Sequence, residues 1–116
     1  MVIAIIDDDR DVRESTEFML GLHGFETSSF ASGAEFLNVD PSSFSFLLFD
    51  YLMPQMTGLD LLAELRRRNC AIPAAIMTAS LSDEVHRRAR ELGVVRVFKK
   101  PMNEEELVDV IRSAGA

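Results

Sequence analysis

Short apolar runs, separated by longer mixed segments, constrain the fold of this chain more than any other feature. Continuous apolar runs of about four to eight residues, rich in β-branched side chains, are typical of strands buried on both faces of a parallel sheet. VIAII (2–6) fits this description, and three further runs are mostly apolar and are also predicted as strands: FSFLLF (44–49), AAIMT (74–78) and VVRVF (94–98). A fifth run, ETSSF (26–30), is polar, which favours a place at the edge of the sheet.

Signals for helix ends fall between the runs. Gly24 is a C-terminal cap for a helix that follows the first strand. Thr57 with Asp60, and Asn103 with Glu106, resemble capping boxes at helix starts. Further predicted helices cover 32–39, 57–69, 82–93 and 103 onward. Each predicted strand is therefore followed by a helix.

Strands that alternate with helices imply right-handed crossovers and a parallel sheet that is covered on both faces. We expect an α/β fold with a five-stranded parallel sheet in the order 2-1-3-4-5, a flavodoxin-like (βα)5 three-layer sandwich. With 116 residues and no interdomain linker, residues 1–116 are predicted to form one domain. The chain stops just after its last predicted helix, so we expect any output domain to be absent from it.

Charge is distributed unevenly along the chain. The net charge is −7, which argues against direct binding of nucleic acid, because phosphate contacts need a basic surface. Residues 1–65 contain 12 acids and 2 bases, whereas residues 66–100 contain 3 acids and 9 bases. The acidic first segment predicts a cation as a ligand.

Cysteine content and hydropathy indicate a cellular compartment. Cys70 is the only cysteine, so an intramolecular disulfide is excluded and a reducing compartment fits. We interpret Cys70 as a small packing residue. No run has the length of a signal-peptide core or a membrane span, so we expect a cytoplasmic protein without a membrane partner.

Polar residues stand at the ends of four predicted strands. Asp7 and Asp8 follow the first strand, Asp50 follows the third, Thr78 ends the fourth and Lys100 follows the fifth. Carboxyl ends of parallel strands meet at one edge of a sheet, where ligands of such folds bind. Carboxylates and phosphate oxygens together suit Mg²⁺. The pattern predicts a site for a divalent cation and a phosphoryl group, whereas the neighbouring Asp9 is interpreted as a helix cap.

The motifs IIDDD, FLLFDYLMPQMTG, AAIMTA and FKKP occur in one order and spacing along the chain. In this respect the chain resembles the response-regulator receiver domains of bacterial two-component signalling, members of the CheY-like superfamily. The resemblance covers essentially the whole chain. Each motif is weak alone, but four in register are a strong indication.

The resemblance implies a role for each residue at the sheet edge. Asp50 is implied as the phosphoacceptor. Asp8 directly, Asp7 directly or through water, Asp50 itself and the backbone carbonyl of Leu52 are implied as Mg²⁺ ligands. Lys100 would pair with the acceptor and then with a phosphoryl oxygen, and the Thr78 hydroxyl would bond another. The resemblance also implies a cis peptide at Lys100–Pro101.

The same resemblance implies partners. The phosphoryl donor would be a phosphohistidine on a sensor histidine kinase or a phosphotransferase, so the chain would be a signalling phosphoacceptor and not an enzyme. Its output would be a changed affinity for a partner or for a second copy, which would serve to regulate transcription. The basic run HRRAR (86–90), with Arg96 and Lys99, is either a solvated helix face or part of a homodimer surface formed by helix 4, strand 5 and helix 5.

Two positions depart from the family pattern. Val97 stands three residues before Lys100, where receivers usually have Tyr or Phe, and Phe98 should point to the opposite face because side chains alternate along a strand. The usual aromatic switch is therefore in doubt. Leu52 often has a polar counterpart in the family, and we predict that it hinders an attacking water and prolongs the life of an acyl phosphate.

Three other interpretations compete with the phosphoacceptor. A haloacid-dehalogenase-type phosphohydrolase also uses an aspartate and Mg²⁺, but Asp11 stands where its signature requires Thr or Val, and there is little room for a cap domain. In a flavodoxin, the acids of DDDRD (7–11) would repel the cofactor phosphate. A degenerate receiver that acts only as an interaction module is disfavoured because the acids, Thr78 and Lys100 are all present.

Overall fold

A computed structural model describes residues 2–115, so the first and last residues of the predicted domain 1–116 lie outside it. Five parallel strands form one sheet in the order β2-β1-β3-β4-β5, and five α-helices connect or follow them. This confirms the predicted fold class and strand order. The elements are β1 (Val2–Ile6), α1 (Arg10–Leu22), β2 (Glu26–Phe30), α2 (Gly33–Leu37), β3 (Phe46–Asp50), α3 (Gly58–Arg67), β4 (Ala74–Thr78), α4 (Asp83–Glu91), β5 (Arg96–Lys99) and α5 (Glu104–Gly115).

Two hydrophobic cores lie on opposite faces of the sheet. Every residue of β3 and β4 is buried, which explains why both strands are apolar up to their last residues, Asp50 and Thr78. Successive side chains alternate between the faces: Phe49 packs with α2, α3 and α4, whereas Leu48 packs with α1 and α5. Burial of each such side chain contributes about 1.5–3 kcal/mol to folding. The central strands are therefore the most firmly held part of the molecule.

The polar strand β2 lies at the edge of the sheet, as its composition predicts. Its hydroxyl side chains have a specific partner on α1. Glu17 accepts a hydrogen bond from Ser29 at 2.7 Å and another from Thr27 at 3.2 Å. The polar residues of β2 thus bind α1 to the sheet by hydrogen bonds where the other strands use apolar contact.

Two predicted strands begin later than their apolar residues suggest. β3 was predicted from residue 44 and begins at Phe46, because the N–H of Phe44 closes a short 3₁₀ turn onto the carbonyl of Pro41. β5 was predicted from residue 94 and begins at Arg96, because the N–H of Val94 donates to Ala89 at the end of α4. Apolar side chains in such turns pack on the core without joining the sheet.

Both predicted capping boxes lie at helix starts, but only one is complete. Thr57 and Asp60 exchange hydrogen bonds at 3.0 and 3.1 Å. At the start of α5, the N–H of Glu106 donates to Asn103, but the Glu106 carboxylate lies 3.4 Å from Arg96 instead. No helix within residues 2–115 has the length and hydropathy needed to cross a membrane.

Candidate functional site

Three carboxylates converge at the carboxyl edge of the sheet. Asp50 is the last residue of β3, and Asp7 and Asp8 directly follow its neighbour β1. One oxygen from each of the three carboxylates lies within 4.8 Å of the others. Asp7 and Asp50 are buried, whereas Asp8 is exposed. The structure thus brings together the three acids that the sequence placed at this edge.

Three of the four polar atoms of Asp7 make hydrogen bonds within residues 2–115, and the fourth does not. Its N–H donates to the carbonyl of Phe30 at 3.1 Å, and its Oδ1 accepts the N–H of Asp9 at 2.9 Å. Its backbone carbonyl accepts a hydrogen bond from Arg13 Nη1 at 2.8 Å. Its Oδ2 is buried and has no hydrogen-bond partner among the described residues. Such an oxygen is costly in a finished fold and fits a site that is completed by a cation.

The environment of Asp7 raises the pKa of its carboxyl group. Burial raises the pKa of Asp7 to about 6, against the opposing effect of the Asp9 N–H. The neighbouring carboxylates of Asp50 and Asp8 raise this pKa further, and the Lys100 ammonium lowers it. A bound divalent cation would favour the ionised form of the same groups. The oxygen-only donor set is of the kind that hard cations such as Mg²⁺ take.

Lys100 contributes the only cation seen to contact this carboxylate cluster within residues 2–115. Its Nζ lies 2.9 Å from Asp50 Oδ1 and 3.9 Å from Asp7 Oδ2. The backbone N–H of Lys100 donates to the carbonyl of Thr78 at 2.8 Å, which fixes the loop that carries it beside β4. The Lys100–Pro101 peptide is cis, as expected.

Thr78 is buried at the end of β4, but its hydroxyl is engaged within its own turn. Its Oγ1 donates to the carbonyl of Ser80 at 3.0 Å and lies 3.3 Å from the Ser80 N–H. To donate to another group, the Thr78 hydroxyl would have to give up its hydrogen bond to the Ser80 carbonyl.

Asp9 is the N-cap of α1. Its side chain accepts hydrogen bonds from the N–H groups of Asp11 and Val12, which confirms its interpretation as a cap.

The loop between β3 and α3 leaves Asp50 and returns close to it. The N–H of Tyr51 donates to Met77 at 2.7 Å, and the carbonyl of Tyr51 accepts the N–H of Gly58 at 2.8 Å. A Cβ at position 58 would lie 2.5 Å from the carbonyl oxygen of Asp50, so only glycine fits there. Leu52, whose carbonyl is the predicted fourth ligand, has an exposed side chain (75%).

Asp60 links this loop to α4. Its Oδ2 accepts the N–H of Thr57, and its Oδ1 lies 2.8 Å from Arg88 Nη2. The Thr57 N–H is the main reason that the pKa of Asp60 lies below its usual value, and Arg88 lowers it further.

On β5, Phe98 packs with α1 and α5, while Val97 packs with the core on the opposite face of the sheet, as the alternation predicted.

A family model described as "Response regulator receiver domain" matches residues 3–112. The chain belongs to this family. It is similar to the response regulator protein TodT of Pseudomonas putida, with 35% identity over 97% of this chain and 50% of TodT. It is also similar to the transcriptional regulatory protein FixJ of Bradyrhizobium diazoefficiens, with 33% identity over 97% of this chain and 55% of FixJ. The receiver therefore spans about half the length of these curated relatives.

A solved structure supports the same assignment. The structure of the response regulator StyR matches this receiver with a TM-score of 0.91 and 30% identity, over 98% of this chain and 58% of StyR. Receivers are signalling proteins and not classical enzymes, which favours the predicted signalling role over the phosphohydrolase and flavodoxin interpretations.

Sequence reasoning missed two residues of this receiver that act beside the predicted site. Arg13 was counted only as a base, and Arg88 only as part of the basic run 86–90. In the structure Arg13 bonds the Asp7 carbonyl and Arg88 bonds Asp60. Arg13 lies one turn beyond the cap Asp9, close enough to reach back over the start of α1, but its partner is a backbone atom. A helical arginine one turn after a cap is therefore only a weak signal.

Proposed function

We propose that this receiver accepts a phosphoryl group on Asp50 from a phosphohistidine of a sensor histidine kinase or phosphotransferase. The observation that carries the proposal is the pairing of Asp50 with Lys100 at 2.9 Å inside a cluster of three carboxylates. An isolated surface ion pair would not need two further acids beside it, because they oppose the ionisation of each other. Membership of the receiver family supports the same proposal.

Asp7, Asp8, Asp50 and the backbone carbonyl of Leu52 would hold Mg²⁺. The buried, unpartnered Oδ2 of Asp7 supports this assignment. When bound, the ion would neutralise negative charge on the carboxylates and on the phosphoryl oxygens.

Asp50 is the proposed nucleophile. Its carboxylate oxygen forms a bond to phosphorus while the phosphorus–nitrogen bond of the phosphohistidine breaks, and the electron pair of that bond returns to the imidazole. Asp50 needs no general base because an ionised carboxylate has no proton to lose. Catalysis then consists mainly of alignment and charge stabilisation.

Lys100 and Thr78 stabilise the product in this proposal. The Lys100 ammonium pairs with Asp50 before transfer and with a phosphoryl oxygen afterwards. The Thr78 hydroxyl would leave the carbonyl of Ser80 for another phosphoryl oxygen. A hydrogen bond to a charged acceptor contributes about 1.5–3 kcal/mol, compared with about 0.5–1.5 kcal/mol for a neutral one, so this exchange is favourable. It would move the turn that leads into α4.

The proposed output is a shifted equilibrium between two conformations with different affinity for a partner or a second copy. The surface formed by α4, β5 and α5 is a candidate for this contact. Arg87 on this surface pairs within α4 with Glu91 at 2.9 Å, and Arg96 lies 5.4 Å above the Phe98 ring. Regulation of transcription is proposed because FixJ, a similar protein, is named a transcriptional regulatory protein.

Intact-mass measurement after incubation with acetyl phosphate and Mg²⁺ tests the proposal. The wild-type chain should gain one phosphoryl mass, and both the Asp50→Asn variant and a wild-type sample with EDTA should not. A gain that persists in Asp50→Asn would assign the acceptor to another residue. No gain in the wild type would favour a degenerate receiver, and continuing release of phosphate from many ester molecules per chain would favour a phosphohydrolase.

A further inference from the structure

The peptide between Asp7 and Asp8 is fixed by a single side chain. The carbonyl of Asp7 belongs to this peptide, and it accepts a hydrogen bond from Arg13 Nη1 at 2.8 Å in a partly buried contact. Because a peptide unit is planar, this bond fixes the orientation of the plane that joins the two acids. Arg13 therefore acts on both carboxylates without contacting either in the described part of the chain.

A second arginine on the same helix provides a contrast. Arg10 lies closer to the acids in sequence, but its side chain is exposed (79%) and pairs with Glu14 at 3.0 Å. Arg13 is half-buried, and within residues 2–115 it is not part of an ion pair with a carboxylate. The two side chains have the same charge on the same turn of helix, but only Arg13 bonds the acidic loop.

We propose that Arg13 is a positioning residue for the divalent-cation site. This inference rests on the proposed function, because it assumes that the acids bind Mg²⁺. The remaining polar contacts of Asp7 restrain its N–H and its Oδ1, while its Oδ2 stays unpartnered. Arg13 supplies the third restraint, so Oδ2 is held toward the cluster before any cation arrives. Outer partners that orient a ligand in this way commonly change metal affinity about 10- to 100-fold when they are removed.

The direction of the change in Mg²⁺ affinity distinguishes a positioning role of Arg13 from a simple effect of its charge. A positive side chain beside a cation site repels the cation, so loss of its charge alone should strengthen Mg²⁺ binding. Loss of a positioning bond should weaken it. Arg10→Ala tests the first effect and Arg13→Ala tests the second, since both remove one positive charge from α1.

Titration with MgCl₂ at fixed ionic strength tests the inference. Tyr51 is the only tyrosine, tryptophan is absent, and Tyr51 follows Asp50, so its fluorescence reports on the site directly. Arg13→Ala should raise the Kd for Mg²⁺ on the order of tenfold. Arg10→Ala should leave the Kd unchanged or slightly lower. Arg13→Lys should recover most of the affinity, because an ammonium can also donate to one carbonyl.

The outcomes distinguish this inference from the proposed function. If the wild type does not respond to Mg²⁺, both fail. If the wild type binds Mg²⁺ and Arg13→Ala binds it as tightly or more tightly, only the positioning role is overturned. Equal weakening by Arg10→Ala would also overturn it. Urea unfolding in EDTA identifies a variant that does not fold. If Arg13→Ala does not fold, Arg13→Met takes its place, because methionine keeps an apolar stem and has no donor for the Asp7 carbonyl. A raised Kd is expected for Arg13→Met, and an unchanged or lowered Kd would contradict the inference.

Discussion

Two charged side chains at opposite edges of the sheet, the half-buried Arg66 and the buried Asp7, differ in how fully their hydrogen bonds are satisfied. At the amino edge, the guanidinium of Arg66 donates to the carbonyls of Leu92, Cys70 and Ile72 at 2.9–3.0 Å. At the carboxyl edge, Asp7 is more deeply buried, yet its Oδ2 has no hydrogen-bond partner among the described residues. A buried charge that serves the fold is satisfied within the fold, whereas an unsatisfied one is a candidate for binding or chemistry.

Loss of the satisfied charge should have the largest effect on stability. Arg66→Met would leave three carbonyls without their donor, so we expect the free energy of unfolding to fall by about 3–4 kcal/mol. Urea unfolding measures this change. Arg67→Met is the matched control, because Arg67 is exposed and pairs only with Glu64 in the described chain. A similar small loss in both variants would break the contrast between the two edges.

Loss of the unsatisfied charge of Asp7 should instead raise the free energy of unfolding. Asp7→Asn removes a buried negative charge, so at pH 7.5 in EDTA we expect the free energy of unfolding to rise by about 2–3 kcal/mol. Saturating Mg²⁺ should then stabilise the wild type but not this variant. Asp11→Asn removes an exposed acid from the same end of the molecule and should not be stabilising. Destabilisation by Asp7→Asn would mean that Asp7 is a structural charge like Arg66.

The pH dependence of the same variant provides a further test. Because burial raises the pKa of Asp7 to about 6 in the folded state, from 3.8, the folded chain retains a proton that the unfolded chain has released between these values. The contribution of Asp7 to stability is therefore lost as pH rises from about 4 to 6, and is constant above that range. The wild-type and Asp7→Asn unfolding curves should diverge over this window. If the free energies of unfolding of the two proteins run parallel between about pH 4 and 6, the raised pKa of Asp7 is contradicted.

A smaller effect is expected where the carboxyl edge meets solvent. If Leu52 hinders attack by water, Leu52→Asn should shorten the life of the phosphorylated state several-fold, which corresponds to a barrier lower by about 1 kcal/mol. Decay of the phosphorylated mass over time measures it. Gln55→Asn is a control in the same loop, because Gln55 has a positive φ of 74° that asparagine tolerates. An unchanged lifetime in Leu52→Asn would reject the role of Leu52.

The smallest effect concerns the exposed pair that joins the two helices beside the site. A double-mutant cycle on Asp60→Asn and Arg88→Met should give a coupling of about 0.5–1 kcal/mol, lower at high salt. The cycle removes the separate contribution of the capping box from the result. The pair of Arg87 and Glu91 within α4 should couple by only about 0.3–0.5 kcal/mol. Equal coupling in both pairs would mean that the contact between α3 and α4 has no special strength.

Sequence alone predicted the fold well because parallel strands buried on both faces must be apolar throughout. It also predicted which acids converge, since Asp7 directly follows β1 and Asp50 ends the neighbouring β3. Strand starts were less accurate, because Phe44 is as apolar in a turn as it would be in a strand. Arg13 and Arg66 could not be assigned roles from sequence, because their partners are backbone carbonyls, which every residue carries. Phosphorylation of Asp50 and binding of a metal ion by the three acids stay predictions.

The two ends of the loop after Asp50 differ in which substitutions they tolerate. At Gly58, anything larger than hydrogen would collide with the carbonyl of Asp50, so substitution there would move the start of α3. The side chain of Leu52 is mostly exposed, so its exchange should disturb little packing. Substitutions intended to change the proposed lifetime of a phosphorylated state should therefore be made at Leu52 and not at Gly58.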